Sequence, residues 1–329
     1  MDSDTNRWFA PCRGRLSVCL EDLLHAVQRN AAAPRLVIGG LVTSITMACQ
    51  PTSGRIAHQG GTAYWPENSR TAVEGSLDRD WQAVHFDVFL TLDRRPVLQA
   101  EPFLDPELCR TVGDRPIGEV WLLQTEFDAL HAGYRCGGIA DPDHEGARVI
   151  DDTVVPLEEL IYALEAIPPS RRPDVHLTAG FFPNVSHDPA VYAAEVLGRW
   201  ALSDLAEPPI IVADLPITLD AFRSDARKRG LGLQTTLIWP RMPAASGEGW
   251  STTVQAIGVA HGVVDPLDAL DASGADGIRL DPRVATRSDA RRVADAAAHI
   301  EVGPVDTRAE VRAFSTWPID AVLTSDPEL

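Results

Sequence analysis

Short apolar runs recur along the chain from residue 55, and the stretches between them carry a different period. Arg55–His58, Ala83–Phe89, Val175–Ala179, Ile210–Asp214, Leu233–Trp239, Gly277–Leu280, Ile300–Val305 and Ala321–Thr324 are brief and rich in β-branched and aromatic residues. That pattern predicts strands. Ser69–Leu77, Leu157–Ala166, Pro189–Trp200, Leu219–Arg229 and Ser288–Ala298 space their apolar residues for helices. Strands alternating with helices predict a parallel sheet in an α/β protein. Eight such strands, with the first and last near the ends of the patterned region, predict closure into a TIM (β/α)8 barrel. No GxGxxG follows the first strand, which disfavours a dinucleotide-binding sheet. Two connections are long. Residues 106–153 hold a helix-like stretch, Val120–Ala132, and then a Gly/Asp-rich run. Residues 240–262 hold Pro240, Pro243 and a Ser/Gly run. Connections of this length are functional or mobile, and both are placed to overhang a barrel mouth.

Composition narrows the partners. The 329 residues suit one α/β barrel, and a 45% hydrophobic content supplies its core. A formal net charge of −18, spread along the chain, argues against nucleic acid. Cys12, Cys19, Cys49, Cys109 and Cys136 show no zinc-ligand spacing with histidines. Arg35, the apolar run Leu36–Ala48, and Cys49 followed by Gln-Pro-Thr-Ser-Gly resemble a bacterial lipoprotein signal, with Thr46 where leucine is usual. This divides the chain into a leader, residues 1–49 with the signal at 36–49, and a barrel, residues 54–329. It places the protein in the bacterial cell envelope, touching membrane only through a lipid anchor at Cys49. The competing reading makes 36–48 a buried strand or helix of a cytoplasmic protein, because 13 residues cannot cross a bilayer as a helix. Export would leave Cys109 and Cys136 as a pair able to oxidise.

Candidate chemistry gathers in one third of the chain. Arg-Ile-Ala-His-Gln-Gly-Gly spans 55–61, Trp-Pro-Glu-Asn-Ser spans 65–69, and Ala-Val-His-Phe-Asp-Val-Phe-Leu-Thr spans 83–91. In order and spacing these resemble the glycerophosphodiester phosphodiesterase family, whose pattern is His-Arg-Gly, Pro-Glu-Asn-Thr, Glu-x-Asp, His-Asp. Glu119–Gly133, Val155–Leu160 and Ile319–Pro327 extend the resemblance, which covers about residues 54–329. It implies a barrel of the phospholipase C-like phosphodiesterase type. Two histidines would act as acid and base, and three carboxylates would hold a divalent metal. The ligand would be a small-molecule phosphodiester or a polyol phosphate.

Carried over position by position, the resemblance names His58 and Glu101 as catalytic. Gln59, Gly60 and Glu67 become substrate-binding, and His85 and Asp87 metal-binding. The departures are specific. Gln59 stands for an arginine, His85 for the first metal carboxylate, Ala100 for the second histidine and Glu101 for the aspartate beside it. Thr178 stands for the third metal carboxylate and Gly180 for a lysine. Positions 85 and 87 share one face of a strand. Imidazole at 85 would move metal preference from Ca or Mg towards a transition metal. Losing an acid or base removes roughly 10²–10⁴-fold in rate, so ordinary family catalysis is not expected. The residues leave three readings open: a phosphoric diester hydrolase with impaired or altered catalysis, a non-catalytic surface lipoprotein binding a phosphorylated or polyol ligand, and a structural barrel. Asp214, Asp281, Asp306 and His176 lie at or near strand ends, either as a re-formed site or as turn caps. Glu67, Asn68 and Ser69 stand where they could cap the following helix, and Asp326 where it could cap the last turn.

Overall fold

The computed structural model describes residues 53–329, apart from 80, 141–143, 145, 240–264 and 297. The lipoprotein-like segment 36–49 and the connection 240–262 lie outside the described residues. Eight parallel strands close on themselves: β1 (Gly54–Ala57), β2 (Ala83–Leu90), β9 (Asp174–Ala179), β10 (Ile210–Ala213), β11 (Thr235–Trp239), β12 (Gly277–Leu280), β13 (His299–Val302) and β14 (Ala321–Thr324). Closure is explicit, because β1 pairs with both β2 and β14. All eight expected strands are present, and the TIM-barrel expectation holds.

Five helices correspond to the periodic stretches: α1 (Arg70–Leu77), α3 (Leu157–Glu165), α4 (Pro189–Ala201), α5 (Pro216–Arg229) and α7 (Arg287–Asp295). Helix α5 starts three residues before the apolar period does, because Pro216 pre-sets the first turn. Two further helices, α6 (Pro266–Ser273) and α8 (Arg308–Phe314), are short. The capping box that opens α8, Thr307 with Glu310, was readable in the sequence.

Strand β2 is longer than the barrel needs. Its first six residues pair with β9, and Val88–Leu90 run on to pair antiparallel with β3 (Pro96–Leu98), which pairs with β8 (Val155–Pro156). This flange carries the long insertion. Within it β4 (Phe103–Leu104) pairs with β6 (Val120–Trp121), and β5 (Cys109–Thr111) pairs with β7 (Tyr134–Cys136). The single helix expected over Val120–Ala132 is corrected to the strand β6, a 3-10 turn at Leu122–Gln124 and α2 (Phe127–Gly133). Trp121 is held in the ladder opposite Phe103, and the Asp93 carboxylate starts the helix by accepting from the Phe127 N–H at 3.0 Å. Cys109 and Cys136 face each other across the β5–β7 ladder and are joined as a disulfide.

The large core lies between the outer faces of the strands and the helices, where Val84, Phe86 and Val88 of β2 pack. A second core, including Phe89, Leu104, Leu122 and Phe127, seats the insertion on the flange. Inside the barrel the packing is partly apolar, with Ile56, Ala83, Ala321 and Leu323 in one cluster. It is also polar, because β2, β9, β12 and β13 place His85, Asp87, His176, Arg279 and Glu301 in buried positions.

Candidate active site

Register explains how the site assembles. Strands β2 and β9 align His85 with His176 and Asp87 with Thr178. Paired residues of a parallel ladder project to the same face, so these four side chains share one wall. His58 comes from the turn at the end of β1. Its ring stacks on His85 with centroids 5.3 Å apart and planes 19° apart.

Two left-handed residues aim amides at Asp87. Gln59 (φ 49°) and Asn68 (φ 50°) both adopt a backbone that side chains other than glycine rarely take. Gln59 Nε2 donates to Asp87 Oδ2 at 2.9 Å, and Asn68 Nδ2 donates to the same oxygen at 3.3 Å. Asn68 Oδ1 accepts the backbone N–H of Asp87 at 3.0 Å. Capping of α1 falls to Ser69, whose Oγ accepts from the Ala72 N–H at 3.0 Å, and to Asp152, whose Oδ2 accepts from the Thr71 N–H at 3.3 Å. Asn68 therefore serves the site and Ser69 the helix. At Gly60 (φ 81°) a Cβ would lie 2.8 Å from Ala72 Cβ and 2.9 Å from Phe86, so the space beside this residue is filled by packing.

Charge states follow from burial and neighbours. His85 Nδ1 lies 3.4 Å from the Gln59 N–H and Nε2 lies 2.6 Å from Thr178 Oγ1. The backbone donor makes Nδ1 the acceptor and leaves the ring proton on Nε2, bonded to threonine. Burial, then the charges of Arg279, His58 and His176, hold His85 well below the usual histidine range, against a smaller opposing pull from Glu301. His58 keeps some open surface but is enclosed by protein. That burial, with Arg279 and His144 adding to it against Asp306, lowers its pKa to about 4. Burial raises Asp87 to about 6, although Gln59, Asn68 and Arg279 pull the other way. Glu101, just past β3, is pushed up to about 7 by burial and by the charges of Asp87 and Asp105. His58 with His85, His85 with Asp87, and Asp87 with Glu101 thus form a cluster of neighbouring pairs.

Beneath them runs a buried ionic network. Register pairs Arg279 with Glu301, 3% and 0% exposed, and Arg279 Nε donates to Glu301 Oε2 at 2.7 Å. His176 Nδ1 and His299 Nε2 lie 3.2 and 3.4 Å from Glu301 Oε1, neither with hydrogen-bond alignment. Burial alone would raise Glu301, but Arg279 and the two histidines hold its carboxyl well below the ordinary value. His176 therefore belongs to this network. Asp281 binds Arg283 and caps its turn, and Asp306 accepts from the Ser325 N–H at 3.2 Å. Asp326 accepts from Tyr64 Oη at 2.6 Å and from the Glu328 N–H. Asp214 is enclosed, and burial raises it to about 6.

Beside the cluster a small cleft separates the start of α1 from the disulfide-linked insertion. Glu67, Asn68, Gln99, Arg148 and the Cys109–Cys136 bridge line it. Asn68 and the Gln99 N–H also bind Asp87, so this cleft reaches the cluster.

Chains with this architecture have been solved. A Silicibacter pomeroyi protein described as a glycerophosphoryl diester phosphodiesterase superposes with a TM-score of 0.71 at 18% identity, covering 85% of this chain and 92% of that one. An Oleispira antarctica phosphodiesterase, in complex with the product sn-glycerol-3-phosphate, gives 0.63 at 13% identity, covering 84% and 94%. The glycerophosphodiester phosphodiesterase of Agrobacterium tumefaciens gives 0.56 at 16% identity, covering 84% and 97%. The fold is that of the glycerophosphodiester phosphodiesterases. No family model matches the sequence and no curated protein matches it.

A glycerophosphodiester phosphodiesterase barrel implies a divalent metal, and the residues at positions 85, 87 and 178 do not fit one. Only Asp87 offers a carboxylate, and two amides hold one of its oxygens. Both nitrogens of His85 are engaged, and Thr178 supplies only a hydroxyl. Hard cations need several oxygen ligands with charge. Among the described residues no group of three His, Cys, Asp or Glu side chains is placed to hold a metal.

The resemblance named His58, His85, Asp87 and Glu101, and strand parity set 85 and 87 on one face, as their pairing with β9 has it. They missed Arg279 and His144. Arg279 had a weak signal, as a charged residue inside the apolar run Gly277–Leu280. His144 had none.

Proposed function

We propose that the barrel mouth binds a phosphoric diester of a small polyol, of the glycerophosphodiester kind, and hydrolyses it with altered machinery that draws on no divalent cation. The observation that carries this reading is the placement of His58 at the end of β1, stacked on a His85 that lies 3.6 Å from Asp87, in a barrel of phosphodiesterase fold. A neutral His58 can accept a proton throughout the ordinary pH range. Glu101 stays protonated up to about pH 7, so it can donate a hydrogen bond to a phosphoryl oxygen instead of repelling it. Asp87 is likewise neutral at mildly acidic pH, and Arg279 adds a buried positive charge below the cluster. The sn-glycerol-3-phosphate held by the Oleispira phosphodiesterase supports the same class of ligand here.

The test is turnover of bis(p-nitrophenyl) phosphate by the full chain, with EDTA and then with Ca, Mg, Mn or Zn. Hydrolysis that survives EDTA and drops by about 10²–10⁴-fold in His58→Ala supports the reading. Absence of turnover in every condition overturns hydrolysis. One observation favours a second reading: the amides that occupy Asp87 leave the former cation position built as a fixed hydrogen-bond network. A non-catalytic binder would take up glycerophosphocholine in calorimetry without consuming it.

The location proposed with this function is the cell envelope, through acylation of Cys49. The Cys109–Cys136 bridge supports an oxidising compartment. Mass measurement of the mature N-terminus from a bacterial host tests it, and an intact Met1 would overturn it.

A further inference from the structure

We propose that His144, carried on the insertion, is the second proton-handling group of the mouth and supplies what Ala100 cannot. This inference rests on the phosphodiesterase reading and adds a residue to it. His144 Nε2 lies 3.2 Å from Thr62 Oγ1 and 3.1 Å from Ser325 Oγ. Both hydroxyls are neighbours of His58. Thr62 follows it in the same turn. Ser325 follows Thr324, which is the register partner of Ala57, the residue before His58. Two anchors, one along the chain and one across the strand pair, therefore fix His144 next to His58. The Asp306 carboxylate, which accepts from the Ser325 N–H, stands on the same side. The charges of His144 and Asp306 both act on the His58 ring, in opposite directions.

The contacts of His144 suit proton transfer in a way that those of His85 do not. A backbone N–H cannot reverse its direction, so the Gln59 N–H fixes His85 in one tautomer. A hydroxyl can rotate and either give or accept a hydrogen bond. Thr62 and Ser325 can therefore follow His144 Nε2 whether it holds a proton or not.

In the reaction, the oxygen of water forms a bond to phosphorus while the bond from phosphorus to the alcohol oxygen breaks. His58 accepts the proton of the attacking water, and His144 gives its proton to the departing alkoxide. The products are a phosphomonoester and an alcohol. His58 then returns its proton to solvent and His144 takes one up, so the balance closes without an oxidant or a co-reactant.

The experiment compares the full chain with His144→Ala and His144→Gln, the second keeping a partner for the two hydroxyls. Two substrates separate the roles. p-Nitrophenolate leaves bis(p-nitrophenyl) phosphate with little need of an acid, whereas choline alkoxide or glycerol alkoxide leaves glycerophosphocholine only when protonated. A general acid at 144 predicts a kcat loss of about 10²–10⁴-fold on glycerophosphocholine in both variants. It predicts a loss of less than about tenfold on the aryl diester, and disappearance of the alkaline limb of the pH profile. Equal losses on both substrates, or an unchanged pH profile, overturn the assignment in favour of a structural role. An active wild type with unaffected variants removes His144 alone. A wild type inactive on both substrates removes the phosphodiesterase reading, and the assignment with it.

Discussion

Glu101 shows how one residue can change what a pocket does with an anion. Its pKa of about 7, above the usual 4.5, keeps the proton on through the mildly acidic range and releases it as pH rises past 7. A phosphodiester keeps one negative charge over that range, so the change in binding reports the protein. The affinity for glycerophosphocholine, measured by calorimetry in His58→Ala so that turnover does not intervene, should weaken by about tenfold between pH 6 and pH 8. Glu101→Gln should flatten that dependence. An unchanged slope in Glu101→Gln would show that another group sets it. This position was singled out in the sequence through the resemblance, in which Glu101 stands where the family has the aspartate beside its second histidine. The bond from Gln59 to Asp87 was not legible. It depends on a left-handed backbone at a residue type that seldom takes one, and residue patterns do not report φ.

Among the strands, the pairing of β12 with β13 sets an interior charge pair that apolar patterning gives no reason to expect. Arg279 and Glu301 are in register, so each reaches the other only because these two strands align. Removing one partner leaves the other charge buried and uncompensated. Arg279→Met should cost about 3–5 kcal/mol in urea unfolding, and adding Glu301→Gln should recover much of that loss. If the double variant is no more stable than the single, Arg279 works through packing instead of charge. Asp214, after β10, titrates in the opposite sense to Glu301. Its folded pKa of about 6 lies above the usual 3.8, so the stability linked to it is full below about pH 3.8 and lost as pH rises through 6. Asp214→Asn should therefore raise stability at pH 8 by on the order of 1–3 kcal/mol and leave it nearly unchanged at pH 4, read as urea midpoints. Strand positions themselves were legible because each barrel strand is a short apolar run between turn residues. The flange strands β4 and β6 have two residues each, too few for any period to show.

At the scale of the molecule, the barrel is closed by its own strand pairing, and the insertion is held in place by other means. It rests on a separate apolar core around Phe89, Leu122 and Phe127, and it is tied by one disulfide between β5 and β7. The alternation of strands and helices was enough to read the barrel. It could not read the insertion, whose shape depends on a covalent cross-link and on contacts with the flange. A bridge closing a loop of sequence separation 27 restricts the unfolded chain and contributes roughly 3 kcal/mol by loop entropy. Because that loop lies wholly inside the insertion, the effect of losing it should be local. In the double variant Cys109→Ala, Cys136→Ala, hydrogen exchange should accelerate across residues 103–153 while the amides of β9 to β13 keep their protection. The cleft beside Asn68 has the disulfide as one wall, and His144 reaches Thr62 and Ser325 from the same insertion. Turnover of glycerophosphocholine should therefore fall with the loosened insertion even though the barrel stays folded. Exchange that quickens equally in the barrel strands would mean that insertion and barrel unfold as one unit, and that the mouth is not organised by a separable element.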